Sequence, residues 1–278
     1  MDLFLKTAIH AAREAGRIHK KRYGQVKSIR FKSKNKLNLV TEVDTLCEAA
    51  VLRILKKAFP SHNFWGEESG RGTASSEYTW LVDPLDGTTN FAHSYPFFCC
   101  SIALAQNSKP IVGVVYDALR DECFYARKGH GAYLNGKKLK VSGTKNLGES
   151  LVCTGFAYAV RETHYNLDNF KRFVLRAQGV RRDGSAAMNL AYVAAGRFDG
   201  FWERGIQAWD MAAGVLMVQE AGGRLTDITG KPFDLFAENA LATNGKIHSQ
   251  MFRILKGSPD EKKWARMHSR AAKNKIKK

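Results

Sequence analysis

Two carboxylates stand three residues apart where an apolar run in the middle of the chain ends. Asp83 and Asp86 follow the apolar residues 80–82, and a glycine and two threonines occupy positions 87–89. Mg²⁺ is a hard ion that prefers oxygen ligands and pairs readily with phosphate oxygens. The pattern therefore favours a divalent-metal site beside a phosphate over an ordinary Asp-Pro-x-Asp-Gly surface turn.

The residues between and after these carboxylates suit the same chemistry. Pro84 fixes φ and removes one donor, so the chain turns there and can bring the Leu85 carbonyl to the same side as the carboxylates. Gly87 lets the backbone approach a ligand closely, and Thr88 and Thr89 offer hydroxyls and successive N–H groups of the kind that bind anions. Three hard oxygens are thus expected at one corner, next to an anion site.

Two further acidic segments fit this picture. Glu67 and Glu68 follow a short apolar segment, and Asp210 stands at the expected start of a helix. As isolated signals they are weak, since the glutamate pair could be a solvated loop and Asp210 could be an N-cap. Their occurrence beside the central motif favours a shared metal site.

Positive charge is distributed unevenly along the chain. The net charge is +18, yet residues 72–108 contain none of the 44 Lys and Arg residues. Residues 1–36 carry +9 and residues 261–278 carry +7, so the middle of the chain is nearly neutral. A phosphate bound at the motif must therefore be neutralised by metal ions and backbone amides. The basic ends are typical of solvated surface, with a weak, salt-sensitive attraction to nucleic acid as the alternative.

Hydrophobic periodicity predicts mixed helices and strands. A first helix is expected behind Asp2 up to about Tyr23, and a second from about Asp44 to Pro60. The remaining predicted elements are strands over 97–115 with a turn at 107–108, a strand at 123–125, a hairpin at 135–136, helices near 162–177, 185–196 and 208–220, and a strand at 200–202.

The hairpin resembles a nucleotide-binding loop in sequence only. Residues 131–138 nearly match the phosphate-binding G-x-x-x-x-G-K-[ST] pattern, but Lys138 stands where a hydroxyl is required and a strand follows instead of a helix. The dipeptide Asn135-Gly136 between two apolar segments is instead typical of a tight β-hairpin turn.

The length fits one large α/β domain or two small lobes that share a core. We expect a catalytic domain over residues 1–257 and a basic, flexible tail over 258–278. Five cysteines without a C-x-x-C pair indicate reduced thiols and a cytoplasmic protein. The chain has neither an export signal nor eighteen consecutive apolar residues, so no membrane association is expected.

Four motifs together resemble the inositol monophosphatase family of magnesium-dependent, lithium-sensitive phosphatases. They appear in the family's order and spacing over about residues 1–256, and they are Gly66–Ser69, Trp80–Phe91, Gly184–Ala187, and Trp202-Glu203 followed by Trp209–Gly214. The resemblance implies alternating αβαβα layers, a homodimer, and hydrolysis of small phosphomonoesters.

The resemblance also implies roles for individual residues. A first Mg²⁺ would be held by Glu67, Asp83 and the Leu85 carbonyl, and a second by Asp83, Asp86 and Asp210, with two or three ions per site. Thr88 and Asp44 would orient the attacking water and accept its proton, with Glu67 nearby. Without the resemblance, Asp44 is interpreted as a helix N-cap.

Substrate recognition is implied for a second group of residues. Glu203 would bind inositol hydroxyls, against the alternative of a solvated glutamate. The amides of Gly87 and Thr88 would bind phosphate oxygens. The same pocket would be lined by Asp86, Asp210, Gly184, Ser185 and Ala186. Myo-inositol 1-phosphate is the expected substrate, with fructose 1,6-bisphosphate and nucleotide 3′-phosphates as alternatives.

Two points stay open at this stage. A catalytically silent protein that binds RNA or a transcription complex through its basic termini is an alternative from another class. The family's early lysine has three candidates, Lys32, Lys34 and Lys36.

Overall fold

Helices and strands alternate along residues 2–32 and 36–261, the part of the chain that this computed structural model describes. The helices are α1 Leu3–Arg22, α2 Glu42–Ala58, α3 Thr88–Ala92, α4 Val160–Thr163, α5 Leu167–Val174, α6 Ala186–Ala194, α7 Ala208–Glu220 and α8 His248–Leu255, with a 3-10 helix at Leu147–Glu149. The strands are β1 Ile29–Phe31, β2 Leu39–Thr41, β3 Asn63–Gly66, β4 Gly70–Arg71, β5 Tyr78–Asp86, β6 Cys99–Gln106, β7 Lys109–Asp117, β8 Glu122–Arg127, β9 Ala132–Leu134, β10 Lys137–Lys138, β11 Leu151–Thr154, β12 Gly179–Arg181, β13 Gly200–Arg204, β14 Arg224–Thr226 and β15 Asn239–Thr243.

The elements stack in five layers. An eight-stranded sheet has the order β10-β9-β8-β7-β6-β5-β3-β4, and a five-stranded sheet has the order β12-β11-β13-β15-β14. Helices α1 and α2 cover the outer face of the first sheet, α6 and α7 lie between the sheets, and α5 and α8 cover the outer face of the second. This order confirms the predicted αβαβα fold.

Strand β5 is buried on both faces, which explains its continuous apolar sequence. Trp80 and Val82 pack with α1 and α2, whereas Leu81 packs with α6 and α7 on the opposite face. Successive side chains of a strand point to opposite faces, so both faces need apolar residues when both are covered. The strand ends at Asp83 and Asp86, where its register with β6 shifts.

The first two helices form where their periodicity predicts. Asp2 caps α1 by accepting from the Leu5 amide at 2.9 Å, as expected. Helix α2 begins at Glu42, earlier than predicted, because Thr41 is the N-cap and Asp44 accepts from the Thr41 amide at 2.8 Å to complete a capping box. The interpretation of Asp44 as the N-cap is therefore wrong.

The two predicted tight turns are confirmed. Strands β9 and β10 pair antiparallel around Asn135 and Gly136, which both have positive φ. Strands β6 and β7 are joined through Asn107 and Ser108, which also have positive φ. The first turn belongs to a hairpin and not to a phosphate-binding loop that leads into a helix.

The predicted helix at 162–177 is wrong in extent. The chain forms α4 and α5 instead, separated by His164 and Asn166 in the left-handed region. The Asn166 amide nitrogen donates to Thr154 Oγ1 at 2.8 Å, and its oxygen accepts from Trp202 Nε1 at 2.7 Å. These buried contacts hold Asn166 out of the helix. Helices α6 and α7 and strand β13 confirm the other predictions for this half.

The described chain continues past the predicted domain boundary. Ser258 and Asp260 are buried, and Asp260 accepts from the Asn169 amide at 2.8 Å. The division into residues 1–257 and a 258–278 tail stays a prediction, and residues 262–278 lie outside the described part.

Neither a disulfide nor a transmembrane helix is found within residues 2–32 and 36–261. The cysteines are all free and buried, namely Cys47, Cys99, Cys100, Cys123 and Cys153. None of the described helices is both long and apolar enough to span a bilayer.

A buried histidine of α1 gives a test of this packing. His19 Nε2 lies 3.0 Å from the Pro84 carbonyl oxygen, while Nδ1 has no hydrogen-bond partner in the described part of the chain. Burial lowers the pKa of His19 to about 4. Since the unfolded chain binds a proton near pH 6.5 and the folded chain does not, this histidine's contribution to stability is lost as the pH falls from 6.5 towards 4.

We expect the stability advantage of the wild type over His19→Gln to shrink by about 2 kcal/mol between pH 7.5 and pH 5. Urea unfolding in EDTA at the two pH values measures it. The exposed His10→Gln control should show no such change. An advantage that is independent of pH would contradict the neutral, buried imidazole.

Candidate active site

A cavity of about 330 Å³ opens where β3, β5, α3, α6 and α7 meet. Its walls bring together residues that are far apart in the sequence. Among the predicted site residues, its lining includes Glu67, Asp83, Leu85, Asp86, Gly87, Thr88, Gly184, Ser185, Ala186, Glu203 and Asp210. Asp44 lies directly behind this lining and contacts it through Thr88.

Asp83 is held at the irregular end of β5. Its Oδ1 accepts from the Leu85 amide at 3.0 Å, which tightens the turn around Pro84. On the other side of this turn, His19 Nε2 donates to the Pro84 carbonyl at 3.0 Å. The register shift between Asp83 and Asp86 thus directs both carboxylates into one cavity.

Asp86 joins the first sheet to the N-terminus of α6. Its Oδ2 accepts from the Ser185 hydroxyl at 2.7 Å and from the Ala187 amide at 2.6 Å. Ser185 is also the N-cap of α6. The predicted Gly184–Ala186 segment is therefore placed by a hydrogen-bonded carboxylate as well as by the helix that follows it.

Glu67 reaches the cavity because β3 runs parallel to β5. Gly66 pairs with Val82, and the Glu67 amide donates to the Val82 carbonyl at 3.1 Å. The next residue along β5 is Asp83. Lys32 Nζ contacts Glu67 Oε1 at 2.9 Å and Glu68 Oε1 at 2.5 Å, so this lysine partly neutralises the pair.

Asp210 enters from the first turn of α7. Its Oδ2 accepts from the Gln207 amide at 2.8 Å, and so it completes the capping box of this helix. Ser101 of β6 donates to the Trp209 carbonyl at 3.2 Å, which ties the start of α7 to the strand beside Asp83. Asp210 is at the third helical position, so the N-cap interpretation is wrong.

The buried carboxylates repel one another. Burial raises the pKa of Asp83 well above its usual range, and Glu67, Asp86 and Asp210 raise it further. Burial raises the pKa of Asp210 in the same way, with added repulsion from Asp86 and Glu67. Burial raises the pKa of Asp86 to about 6, although hydrogen bonds from Ser185 and Ala187 oppose the shift. A bound cation would relieve this repulsion.

The donor set fits Mg²⁺ or a similar hard cation. Four carboxylates and the Leu85 carbonyl supply oxygen atoms, with no thiol or imidazole among them. Within residues 2–32 and 36–261, however, no group of three or more Asp, Glu, His or Cys side chains is arranged closely enough to hold a metal ion. Each carboxylate instead accepts from a local donor, such as Lys32 or the Gln207 amide. Their roles as ligands stay predictions.

Thr88 and Asp44 form a hydrogen-bonded pair beside these carboxylates. Thr88 Oγ1 lies 2.9 Å from Asp44 Oδ1 and 2.9 Å from the Leu85 carbonyl oxygen, so its single proton is shared between two acceptors. Asp44 Oδ2 also accepts from the Thr41 hydroxyl at 2.6 Å. Burial raises the pKa of Asp44 to about 6, against the opposing hydrogen bonds from Thr41 and Thr88.

Gly87 satisfies two steric requirements at the start of α3. Its φ is +96°, in the left-handed region that side chains disfavour. A Cβ atom there would lie 2.9 Å from the Phe97 carbonyl oxygen. The turn can therefore present the first amide N–H groups of α3, which lack intrahelical acceptors, to the cavity.

Glu203 is a buried side chain at the far wall of the cavity. Burial raises its pKa to about 8, and the positive charge of Arg182 opposes the shift. Its carboxylate packs directly against Gly155, where a Cβ atom would collide with it. The alternative of a solvated glutamate is therefore wrong.

Sequence reasoning missed several lining residues. Arg182 supplies the positive charge near Glu203, and its place just before Gly184 was the available signal. Tyr158 lines the cavity from the segment before α4 with 48% of its surface exposed. Desolvation of its hydroxyl group, followed by the repulsion of the four carboxylates, raises its pKa above the usual range. No motif marked this tyrosine.

The three early lysines separate in space. Lys32 contacts the two glutamates, whereas Lys36 Nζ lies 5.7 Å from the ring centre of Phe31. Lys34 lies outside the described residues. Of the two candidate lysines in the described part of the chain, Lys32 is therefore the one that contacts a residue of the cavity.

Comparisons with known proteins agree with this geometry. The model of the inositol monophosphatase family matches residues 1–259. The chain belongs to this family. An inositol-1-monophosphatase from Synechocystis is 44% identical over 99% of this chain and 96% of that protein. Nus factor SuhB from Pseudomonas aeruginosa is also 44% identical, over 92% of this chain and 96% of its own length.

A solved structure from the family has the same fold. Inositol monophosphatase from Anabaena is 45% identical, with a TM-score of 0.84 over 92% of this chain and 96% of that chain. Family membership confirms the resemblance drawn from the four motifs. The individual site roles rest on the geometry above and stay predictions.

Removing one buried carboxylate tests the electrostatics of the site. We expect Asp83→Asn to raise the stability of the metal-free protein by about 1–3 kcal/mol at pH 8, because Asn removes a repelled charge and keeps an acceptor for the Leu85 amide. Chemical denaturation in EDTA measures this change. The gain should shrink as the pH falls towards 4, because protonation removes the repelled charge.

Asp117→Asn is the matched control. Asp117 is equally buried, but it pairs with Arg120 at 2.7 Å and accepts from two backbone amides. This variant should therefore be destabilised in the same buffer. Destabilisation of both variants to the same extent would contradict the mutual repulsion of the buried carboxylates.

Proposed function

We propose that this chain is a Mg²⁺-dependent phosphomonoester hydrolase that converts myo-inositol 1-phosphate to myo-inositol and phosphate. The observation that carries the proposal is the convergence of Glu67, Asp83, Asp86 and Asp210 on one cavity that also contains Glu203. Family membership and relatives named inositol-1-monophosphatase at 38–44% identity support the reaction class and the substrate.

Two or three Mg²⁺ ions per site are the inferred cofactor. The first would be held by Glu67, Asp83 and the Leu85 carbonyl, and the second by Asp83, Asp86 and Asp210. When bound, such ions polarise the phosphate ester and lower the pKa of water. The carboxylates provide the negative charge that retains them.

Thr88 and Asp44 are the proposed proton relay. Thr88 Oγ1 donates to Asp44 Oδ1, so it can take a proton from the attacking water while it passes its own to the carboxylate. Glu67 would lie near the same water, and its negative charge contributes to the raised pKa of Asp44. With a pKa of about 6, Asp44 is ionised at neutral pH and can accept this proton.

The bond changes then balance without a phosphoenzyme. The water oxygen forms a new bond to phosphorus, the ester P–O bond breaks, and the leaving oxygen takes a proton from solvent. The amides of Gly87 and Thr88 would bind phosphate oxygens, with Asp210 near the leaving oxygen. The Gly184–Ala186 segment shapes the adjoining wall.

Glu203 is proposed to bind the hydroxyl groups of the polyol. A carboxylate offers two acceptor oxygens, and the hydroxyls of inositol are donors. Burial raises the pKa of Glu203 to about 8, against the positive charge of Arg182, so near neutral pH the protonated group can also donate one hydrogen bond to a hydroxyl. A fructose 1,6-bisphosphatase or a nucleotidase would use the same reaction class, but no contact in the cavity favours either over the inositol phosphate.

The oligomeric state, the cellular location and contact with nucleic acid are inferred from features outside the cavity. We infer a homodimer, since Leu167, Val174 and Leu175 are large apolar side chains exposed on or beside α5. A cytoplasmic location is inferred from the free thiols. Weak nucleic-acid contact through the basic termini stays a prediction and is not favoured as the main function, because the relatives named SuhB belong to the same family.

A phosphate-release panel tests the substrate. We expect kcat/KM for myo-inositol 1-phosphate to exceed by about tenfold or more the values for adenosine 3′,5′-bisphosphate, fructose 1,6-bisphosphate and histidinol phosphate. Release should require Mg²⁺ and stop in EDTA. Glu203→Gln should lower the preference by weakening the inositol reaction selectively. A higher value for the adenosine substrate would replace this proposal with a nucleotidase.

Thr88→Val tests the proton relay. Valine keeps the shape of threonine but removes the hydroxyl, so kcat should fall by about 10²–10⁴-fold. We expect Mg²⁺ to raise the melting temperature of both the wild type and this variant, because Thr88 is not a proposed ligand. The control is Thr7→Val, which removes a half-buried threonine hydroxyl of α1 that donates to the Leu3 carbonyl, and it should retain kcat. Retained kcat in Thr88→Val would rule out the relay.

A further inference from the structure

Glu48 is a buried carboxylate that points at the backbone next to Glu67. It lies on α2 with 3% of its surface exposed. Its Oε2 accepts from the Glu68 amide at 2.9 Å, and its Oε1 accepts from the Ser69 amide at 2.8 Å. Both oxygens are therefore used to hold the chain that leaves β3 immediately after Glu67.

The contact excludes any side chain at Gly66. A Cβ atom built there would lie 2.5 Å from Glu48 Oε2 and 2.8 Å from Oε1. Such separations are too short for non-bonded atoms, so the carboxylate can reach the two amides only over a glycine. This explains the glycine of the Gly66–Ser69 motif by packing.

Helix α2 also places Asp44 next to the site. Asp44 and Glu48 are four residues apart and so lie on the same face of the helix. Asp44 contacts Thr88, whereas Glu48 contacts the turn that follows Glu67. One rigid helix thus sets two walls of the cavity relative to each other.

The side chain of Glu67 needs such a support. Lys32 Nζ contacts the carboxylates of Glu67 and Glu68 from the β1 side, 2.9 Å and 2.5 Å away. The Glu67 amide has one sheet-like bond, to Val82. The turn is closed by the pairing of Gly66 in β3 with Gly70 in β4, and Glu48 holds the two amides between them.

We propose that Glu48 is a positioning residue that holds Glu67 in the geometry required for Mg²⁺ binding. The proposal rests on the proposed function, since it assumes that Glu67 is a ligand. It predicts that loss of the Glu48 contacts weakens Mg²⁺ binding more than it weakens the fold. Residues that orient metal ligands typically affect metal affinity by about 10–100-fold.

Calorimetric titration with Mg²⁺ alone tests this on the full chain. Glu48→Gln keeps one acceptor but turns an NH₂ group towards the other amide, so we expect the Kd for Mg²⁺ to rise by about tenfold. At saturating Mg²⁺, kcat should stay within about threefold of the wild type, because the relay of Thr88 and Asp44 is intact. A purely structural role would not separate these two quantities.

The matched control is Glu220→Gln. Glu220 also accepts from two backbone amides, those of Gly129 and Gly131, each at 2.7 Å, but it holds a turn between β8 and β9. This variant loses a contact of the same kind and should keep the wild-type Kd for Mg²⁺. Equal weakening in both variants would overturn the proposal.

Two further variants separate position from charge and cover a failure of Glu48→Gln to fold. Glu48→Asp keeps the charge but is shorter, so its Kd should also rise, and an unchanged Kd would overturn positioning. Gly66→Ala should weaken Mg²⁺ binding by displacing the carboxylate. In a Glu48→Ala background it should have little additional effect, and full additivity would contradict the contact.

Asp83→Asn distinguishes a failure of the positioning role of Glu48 from a failure of the proposed metal site. One outcome is that the wild type and Glu48→Gln bind Mg²⁺ equally well whereas Asp83→Asn does not bind it. In that case the positioning role is wrong and the proposed function stands. If Asp83→Asn also binds Mg²⁺ like the wild type, the metal site itself is wrong.

Discussion

Mutual repulsion among buried carboxylates is the constraint on which the rest of this structure depends. Asp83, Asp86 and Asp210 enter one cavity together with Glu67, and burial with mutual repulsion raises the pKa of Asp83 and Asp210 far above the usual range. Such an arrangement costs folding free energy without a cation. It is retained in a chain that places no lysine or arginine in residues 72–108, which points to a metal-dependent reaction.

The fold tolerates this cost because the four carboxylates are fixed by three separate parts of the chain. Strand β5 provides Asp83 and Asp86, the turn after its parallel neighbour β3 provides Glu67, and α7 provides Asp210 from its first turn. Two of these side chains also accept from backbone amides at helix starts, where negative charge is favoured. Hydrogen bonds of this kind hold the carboxylates in place around the cavity.

Much of the site was predictable because its signals are contiguous. The Asp83–Thr89 run contains two carboxylates, a turn and the hydroxyls in one segment, and the family resemblance extended it to Glu67 and Asp210. The layered fold followed from the same resemblance, and the periodicity located α1, α6 and α7. The tight turn at Asn135-Gly136 was readable from two residues.

The features that sequence analysis missed depend on tertiary contacts, which leave no pattern among neighbouring residues of the sequence. The break between α4 and α5 arises from Asn166, whose side chain bonds residues on other strands. Arg182 near Glu203 and Glu48 beneath Glu67 act across the layers of the fold. The bounds of α2 were misjudged because the capping box at Thr41 and Asp44 looks like a simple N-cap in sequence.

Anomalous diffraction from crystals soaked in Mn²⁺ tests the central claim most directly, since Mn²⁺ takes oxygen ligands like Mg²⁺ and is located without reference to the protein atoms. We predict peaks within bonding distance of the Asp83 carboxylate, with Glu67, Asp86 and Asp210 completing the shells. Strong peaks elsewhere on the molecule, with none beside Asp83, would contradict the metal site and the reaction derived from it.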